Sequence, residues 1–194
     1  MQKHTIFHFA SKEYHMNYID IKPFDLVNGE GVGVSLFVSG CNINCPGCFN
    51  KKAQNFAYGN PFVGDTLNSL LRGGCNKNVD HLSILGGEPL DEANYKEVLG
   101  IVKAWKSVHP NKPIWLWTGY SLSDIWERTW DIYEYLDYII DGPYLKDVPT
   151  SKPFRGSDNQ RLLKKVENIS SLLATAENKN QYLRIGNEYF IIVS

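Results

Sequence analysis

Val34-Ser35-Leu36-Phe37-Val38-Ser39-Gly40-Cys41-Asn42-Ile43-Asn44-Cys45-Pro46-Gly47-Cys48 joins a β-branched and aromatic run to a loop carrying three cysteines. The run predicts a strand over Val34–Val38. The same join recurs downstream: His81-Leu82-Ser83-Ile84-Leu85 leads into Gly86-Gly87-Glu88-Pro89, Ile114-Trp115-Leu116-Trp117 into Thr118-Gly119-Tyr120, and Tyr138-Ile139-Ile140 into Asp141-Gly142-Pro143. Tyr95, Val98, Leu99, Val102 and Trp105 recur at spacings of three and four, which predicts an amphipathic helix between the second and third strands. A further helix is expected from about Ser123 to Leu136. Strands alternating with helices make an α/β fold with a mostly parallel sheet. In such sheets and barrels active sites form at the strand C-terminal ends, so these loops are expected to converge on one mouth.

Cys41, Cys45 and Cys48 place three thiols in one short loop. Thiolates are the protein ligands of iron-sulfur clusters. Three ligands for a four-iron cube leave one iron without a protein ligand, and an open position is what separates a catalytic metal site from a closed structural one. On spacing alone a structural zinc site completed by Cys75 is the alternative, since tetrahedral zinc favours four thiolates. Gly86 and Gly87 lack side chains, so a ligand can approach the backbone, and Glu88 adds a carboxylate able to accept hydrogen bonds from an ammonium group. Thr118, Tyr120 and Asp141 sit on the expected rim, where a strand-end Thr or Asp also serves as a helix cap or turn residue.

The chain has 194 residues, 43% of them apolar, enough for one well-buried core. Lys and Arg total 20 against 21 Asp and Glu, so no field is strong enough to hold nucleic acid or an anionic membrane surface. No apolar run approaches the roughly 20 residues that span a bilayer, and no basic-then-apolar signal pattern opens the chain. A cytoplasmic address is expected, where crowded cysteines bind metal more often than they form disulfides. Residues 1–15 hold three of the five histidines without a clear period and read as a flexible extension. The chain reads as a single domain whose C-terminal extension, 162–194, holds a helix over Leu162–Ala176 and a hairpin over Tyr182–Val193 turning at Gly186-Asn187.

Taken in order, Val27-Asn28-Gly29, Leu36-Phe37-Val38-Ser39-Gly40, Cys45-Pro46-Gly47-Cys48-Phe49-Asn50, Gly86-Gly87-Glu88-Pro89, Trp115-Leu116-Trp117-Thr118-Gly119-Tyr120, Asp141-Gly142-Pro143, Arg155-Gly156-Ser157 and Asn159-Gln160-Arg161 carry a family resemblance. The chain resembles the radical S-adenosylmethionine superfamily, and within it the anaerobic ribonucleoside-triphosphate reductase activating proteins. The resemblance covers residues 16–161, which it implies are the radical S-adenosylmethionine domain, a partial (β/α) barrel with a [4Fe-4S] cluster on Cys41, Cys45 and Cys48. It further implies that S-adenosylmethionine lies against Gly47, Cys48 and Phe49, with its methionine end against Gly86, Gly87 and Glu88. The implied reaction is reductive cleavage of S-adenosylmethionine to a 5'-deoxyadenosyl radical, which installs a glycyl radical on the partner reductase. A reduced flavodoxin is the implied electron donor. An activase of another glycyl radical enzyme, such as pyruvate formate-lyase, is the nearest enzyme alternative, and a non-catalytic zinc-binding module the alternative from another class.

Overall fold

The computed structural model describes residues 14–166 and 182–193. The chain runs through β1 (Asn17–Asp25), β2 (Gly33–Val38), β3 (Asn60–Pro61), α1 (Gly64–Gly74), β4 (His81–Gly86) and α2 (Glu92–Val108). It continues through β5 (Ile114–Trp117), α3 (Leu122–Thr129), β6 (Tyr138–Asp141), β7 (Arg161–Val166), β8 (Tyr182–Ile185) and β9 (Glu188–Val193). All these strands share one sheet in the order β3-β1-β2-β4-β5-β6-β7-β9-β8.

β2, β4, β5 and β6 are parallel neighbours, and each is joined to the next by a crossover holding one helix. Parallel pairing requires such a crossover. Across these four strands the order rises without reversal, unlike a doubly wound sheet, whose order reverses at a switch point. The helices accordingly gather on one face. Leu67, Leu70 and Leu71 of α1, Val98, Ile101 and Trp105 of α2, and Leu122 and Ile125 of α3 bury against Val34, Leu36, Leu82, Ile84, Ile114, Leu116 and Ile139. Alternation along the strands sends Trp115, Ile140 and Leu162 to the other face, where Trp117, Tyr138, Phe154 and Val193 pack on them.

The expectation of a mostly parallel sheet holds for this centre only. β1 and β3 on one side, and β7, β9 and β8 on the other, add antiparallel pairings, so five of the eight pairings are antiparallel. The cause is connectivity: the links from β1 to β2 and from β6 to β7 hold no helix that could carry the chain back to a parallel start. The end strands β3 and β8 are not paired with each other, and the sheet is open.

Two helix expectations are corrected. α3 ends at Thr129 and passes into a short 3-10 turn over Trp130–Ile132, well before Leu136. Thr129 Oγ1 bonds back to the Ile125 carbonyl at 2.8 Å and meets the Tyr133 hydroxyl at 2.7 Å, a local competition that ends regular helix. Leu162–Val166, read as the start of a helix, is strand β7, because Leu162 and Leu163 each join a different core on opposite faces of the sheet. The rest of that predicted helix lies outside the described residues. The hairpin forms as expected, with β8 and β9 meeting at Gly186-Asn187. Of the N-terminal extension, residues 1–13 lie outside the described residues, and the Tyr14 ring packs edge-on against Phe62 at 5.0 Å.

Asp141 shows how the sheet end is locked. Its buried carboxylate accepts from the Leu122 amide at 3.0 Å, capping α3, and takes two bonds from the Arg161 guanidinium, one at 2.9 Å. Asp141→Ala is expected to lower the unfolding free energy by about 3 kcal/mol, the low end of the cost of breaking a buried pair because Arg161 is partly exposed. Urea titration of the iron-free protein measures it; a loss below about 1 kcal/mol would mean that Asp141 is no more than a surface ion-pair partner.

Candidate active site

At the C-terminal ends of β2, β4 and β5 lies a cavity of about 250 Å³. Cys41, Cys45, Cys48 and Phe49 line it from the cysteine loop, Gly86, Gly87 and Glu88 from the β4 loop, and Trp117, Thr118 and Gly119 from the β5 loop. Tyr144, Gly156 and Gln160 complete it from the long link between β6 and β7. Seven of the eight residues singled out from sequence therefore meet at one mouth. Gly47 is the exception: it turns at a φ of +73° beside the Lys146 side chain and does not line the cavity.

Backbone hydrogen bonds hold the cysteine loop on two sides. The Gly40 amide donates to the Ala53 carbonyl at 2.7 Å and the Cys41 amide to the Gln54 carbonyl at 3.2 Å. Both acceptors belong to a 3-10 turn over Lys51–Gln54 that Asn50 caps. On the other side the Gly87 amide donates to the Val38 carbonyl and the Glu88 amide to the Gly40 carbonyl, each at 2.7 Å. The paired glycines make this crossing possible. Gly86 has a φ of +113°, and a Cβ on Gly87 would stand 2.4 Å from the Gly40 carbonyl oxygen. The space that these glycines leave is thus filled in part by the protein's own cysteine loop, besides any ligand.

Glu88 ties two walls together. Its Oε1 accepts from the Leu90 amide at 2.9 Å and the Thr118 hydroxyl at 2.8 Å, and its Oε2 accepts from the Gly119 amide at 2.7 Å. An ionised carboxylate has about four acceptor sites, so three donors leave room for one more. Burial pushes the carboxyl up to about 7, against the opposing pull of those donors. Burial, reinforced by the Glu88 charge, also raises the Cys41 thiol, while the Ile43 and Asn44 amides pull it down.

A pH dependence follows from Glu88. Folded Glu88 binds its proton more tightly than the unfolded residue with its ordinary value of 4.5, so its contribution is full below that value and is lost as pH rises through about 7. For the iron-free protein this loss should be on the order of 3 kcal/mol. Urea midpoints at pH 4.5 and 7.5 are expected to show that decline in the parent protein and to lose it in Glu88→Gln; equal slopes would remove Glu88 as the cause.

The chain matches, over residues 27–163, the family model described as a 4Fe-4S single cluster domain. The protein of Enterobacteria phage T4 named anaerobic ribonucleoside-triphosphate reductase-activating protein is 42% identical over 154 residues, covering 79% of this chain and 97% of that protein. Proteins of the same name from Pasteurella multocida (strain Pm70) and Escherichia coli (strain K12) are 39% and 34% identical, each over 75% of this chain and 95% and 96% of their own lengths. The chain belongs to this family of activating proteins. No solved structure matches it. The family model begins at Val27 and ends at Leu163, so it takes in the cavity-lining residues and stops inside β7, before the β8–β9 hairpin. A 4Fe-4S domain thereby spans the three cysteines.

The donor set fits such a cluster. The cysteines are unbridged, half-buried and in one wall of one cavity. Among the described residues no three His, Cys, Asp or Glu side chains are grouped closely enough to hold one metal ion, Cys41, Cys45 and Cys48 included. Cys75 lies elsewhere, exposed at the end of α1 beside Lys77, His109 and Lys112, far from a fourth-ligand position. Asn28 of the Val27-Asn28-Gly29 motif also stands away from the mouth: its carbonyl accepts from Ser83 at 2.5 Å and contacts a ring nitrogen of His81 at 2.8 Å, near the start of β4. Among the described residues no helix is long and apolar enough to cross a membrane. Sequence alone does not single out Asn94, a buried residue of the first turn of α2 whose amide reaches the cysteine loop, since a lone Asn near a helix start carries no distinguishing pattern.

Proposed function

We infer that this protein is an activase that installs a glycyl radical on an anaerobic ribonucleoside-triphosphate reductase, using a [4Fe-4S] cluster on Cys41, Cys45 and Cys48 together with S-adenosylmethionine. The observation that carries this reading is the convergence of three thiols and the Gly86-Gly87-Glu88 wall on one cavity, in a chain whose relatives bear the activating name. The parallel strand–helix run from β2 to β6, with helices on one face, supports a partial (β/α) barrel as the scaffold, with 16–161 as the catalytic domain and 162–194 as its extension. When bound, the cluster supplies the electron that cleaves the carbon–sulfur bond of S-adenosylmethionine, giving methionine and a 5'-deoxyadenosyl radical able to take a hydrogen atom from a glycine Cα.

The protein's own residues bind and shield. The thiolates of Cys41, Cys45 and Cys48 would hold the cluster through three of its irons, leaving one without a protein ligand. Glu88, ionised above about pH 7, offers its remaining acceptor site to the ammonium group of the methionine end, while Gly86 and Gly87 keep that wall free of side chains. Phe49, 83% exposed, meets the Tyr144 ring at 4.8 Å and forms with it an open apolar rim beside Cys48, against which S-adenosylmethionine would lie. Reduced flavodoxin as donor and a cytoplasmic address accord with an oxygen-sensitive cluster.

The test is anaerobic iron reconstitution, dithionite reduction with S-adenosylmethionine and assay for 5'-deoxyadenosine, followed by electron paramagnetic resonance of an added reductase. About four irons per chain, 5'-deoxyadenosine and a glycyl radical on the reductase are expected. A radical formed on pyruvate formate-lyase instead would reassign the partner. Bound zinc with intact S-adenosylmethionine would end the enzyme reading.

A further inference from the structure

The first turn of α2 reaches into the cysteine loop. Asn94, 1% exposed, donates from one amide nitrogen to the carbonyls of Ser39 and Glu88 at 2.9 Å each and lies 3.4 Å from that of Gly40. These carbonyls belong to the two residues before Cys41 and to the end of the Gly86-Gly87-Glu88 wall. One side chain thus gathers the two walls of the cavity from behind. Beside it Asp91, also buried, accepts from the Asn42 side chain at 2.9 Å while capping α2 through the Ala93 amide at 3.2 Å. A carboxamide suits the post at Asn94 because only its NH₂ offers two donors on an uncharged group; Asp would set a charge against carbonyl oxygens.

We propose that Asn94, seconded by Asp91 through Asn42, is a positioning residue that fixes Cys41 relative to the Gly86–Glu88 wall. It touches neither thiol nor cavity and acts through the backbone of the cysteine loop. In Asn94→Ala the Ser39 carbonyl loses this donor, whereas the Gly40 and Glu88 carbonyls keep the Glu88 and Asp91 amides at 2.7 and 3.2 Å, so the nearest freedom is rotation of the Ser39-Gly40 peptide that delivers Cys41. The inference rests on the cluster reading above.

Its test begins with the iron-free protein. Asn94→Ala is compared with Val98→Ala, a change in the hydrophobic core on the same helix. Alkylation of Cys41 by iodoacetamide is followed by peptide mass spectrometry, with Cys75 as internal reference. Asn94→Ala is expected to speed Cys41 alkylation roughly tenfold relative to Cys75, while Val98→Ala leaves the ratio unchanged at a similar loss of thermal stability. After reconstitution Asn94→Ala should also hold less iron than Val98→Ala and give a broadened signal from the reduced cluster. If Asn94→Ala does not fold, Asn42→Ala on the exposed side of the loop carries the test, with a smaller acceleration in the same direction. Equal Cys41 ratios and equal iron in Asn94→Ala and Val98→Ala, or an unchanged ratio in Asn42→Ala, overturn the proposal. Absence of iron from the parent protein would instead overturn the cluster reading, so the two failures are separable.

Discussion

Cys45→Ala is expected to bring 5'-deoxyadenosine formation down to the background of uncatalysed cleavage, while Cys75→Ala stays within about twofold of the parent, as for a surface substitution. The difference follows from place. Cys45 stands in the cavity wall with Cys41 and Cys48, whereas Cys75 ends α1 on another surface. Removing one of three thiolates leaves two irons without a protein ligand in place of one, and the cube has no spare sulfur nearby to recruit. Iron content after anaerobic reconstitution and desalting should fall in parallel with activity. Equal loss from both substitutions would sink the three-ligand assignment and favour a site that includes Cys75.

That contrast is partly legible in the amino-acid sequence, and the reason is local. Cysteines packed into one loop after a β-branched run, and glycines packed after the next, are signals confined to a few residues, so their convergence follows from the rule that parallel strands present their C-terminal ends together. Long-range competition hides the rest. Leu162–Val166 has no local mark of a strand; its state is decided by pairing with β6 and β9 on either side and by two cores that claim Leu162 and Leu163 separately. Antiparallel flanks are invisible for the same reason, because direction depends on what the links between strands fail to contain. Asp141 is readable as a cap, which it is, but its tie to Arg161 joins two strands across a link of 19 residues. Asn94 escapes altogether: its three acceptors are backbone carbonyls, which every residue has.

Gly87→Ala is expected to cost about 2 kcal/mol in stability through overpacking, and to cut 5'-deoxyadenosine formation roughly a hundredfold, the scale on which a misplacement near 1 Å acts. The added Cβ would stand 2.4 Å from the Gly40 carbonyl oxygen and 3.0 Å from that of Ala53, and both obstacles are backbone. No side chain can swing aside. Either the end of β4 retreats, which strains the Glu88 hydrogen bonds to Thr118 and Gly119, or Gly40 yields and carries Cys41 with it. Each relief deforms a wall of the same cavity. Gly186→Ala supplies the comparison: its φ is positive, +58°, as that of Gly87 is not, yet nothing lies within 4 Å of its added Cβ. It should cost about 1 kcal/mol of left-handed strain and leave turnover unchanged. Urea titration paired with the deoxyadenosine assay separates the two outcomes. If Gly87→Ala lost only stability, as Gly186→Ala does, the paired glycines would be a turn, and the close crossing of the β4 and cysteine loops would not be what sets the cavity's geometry.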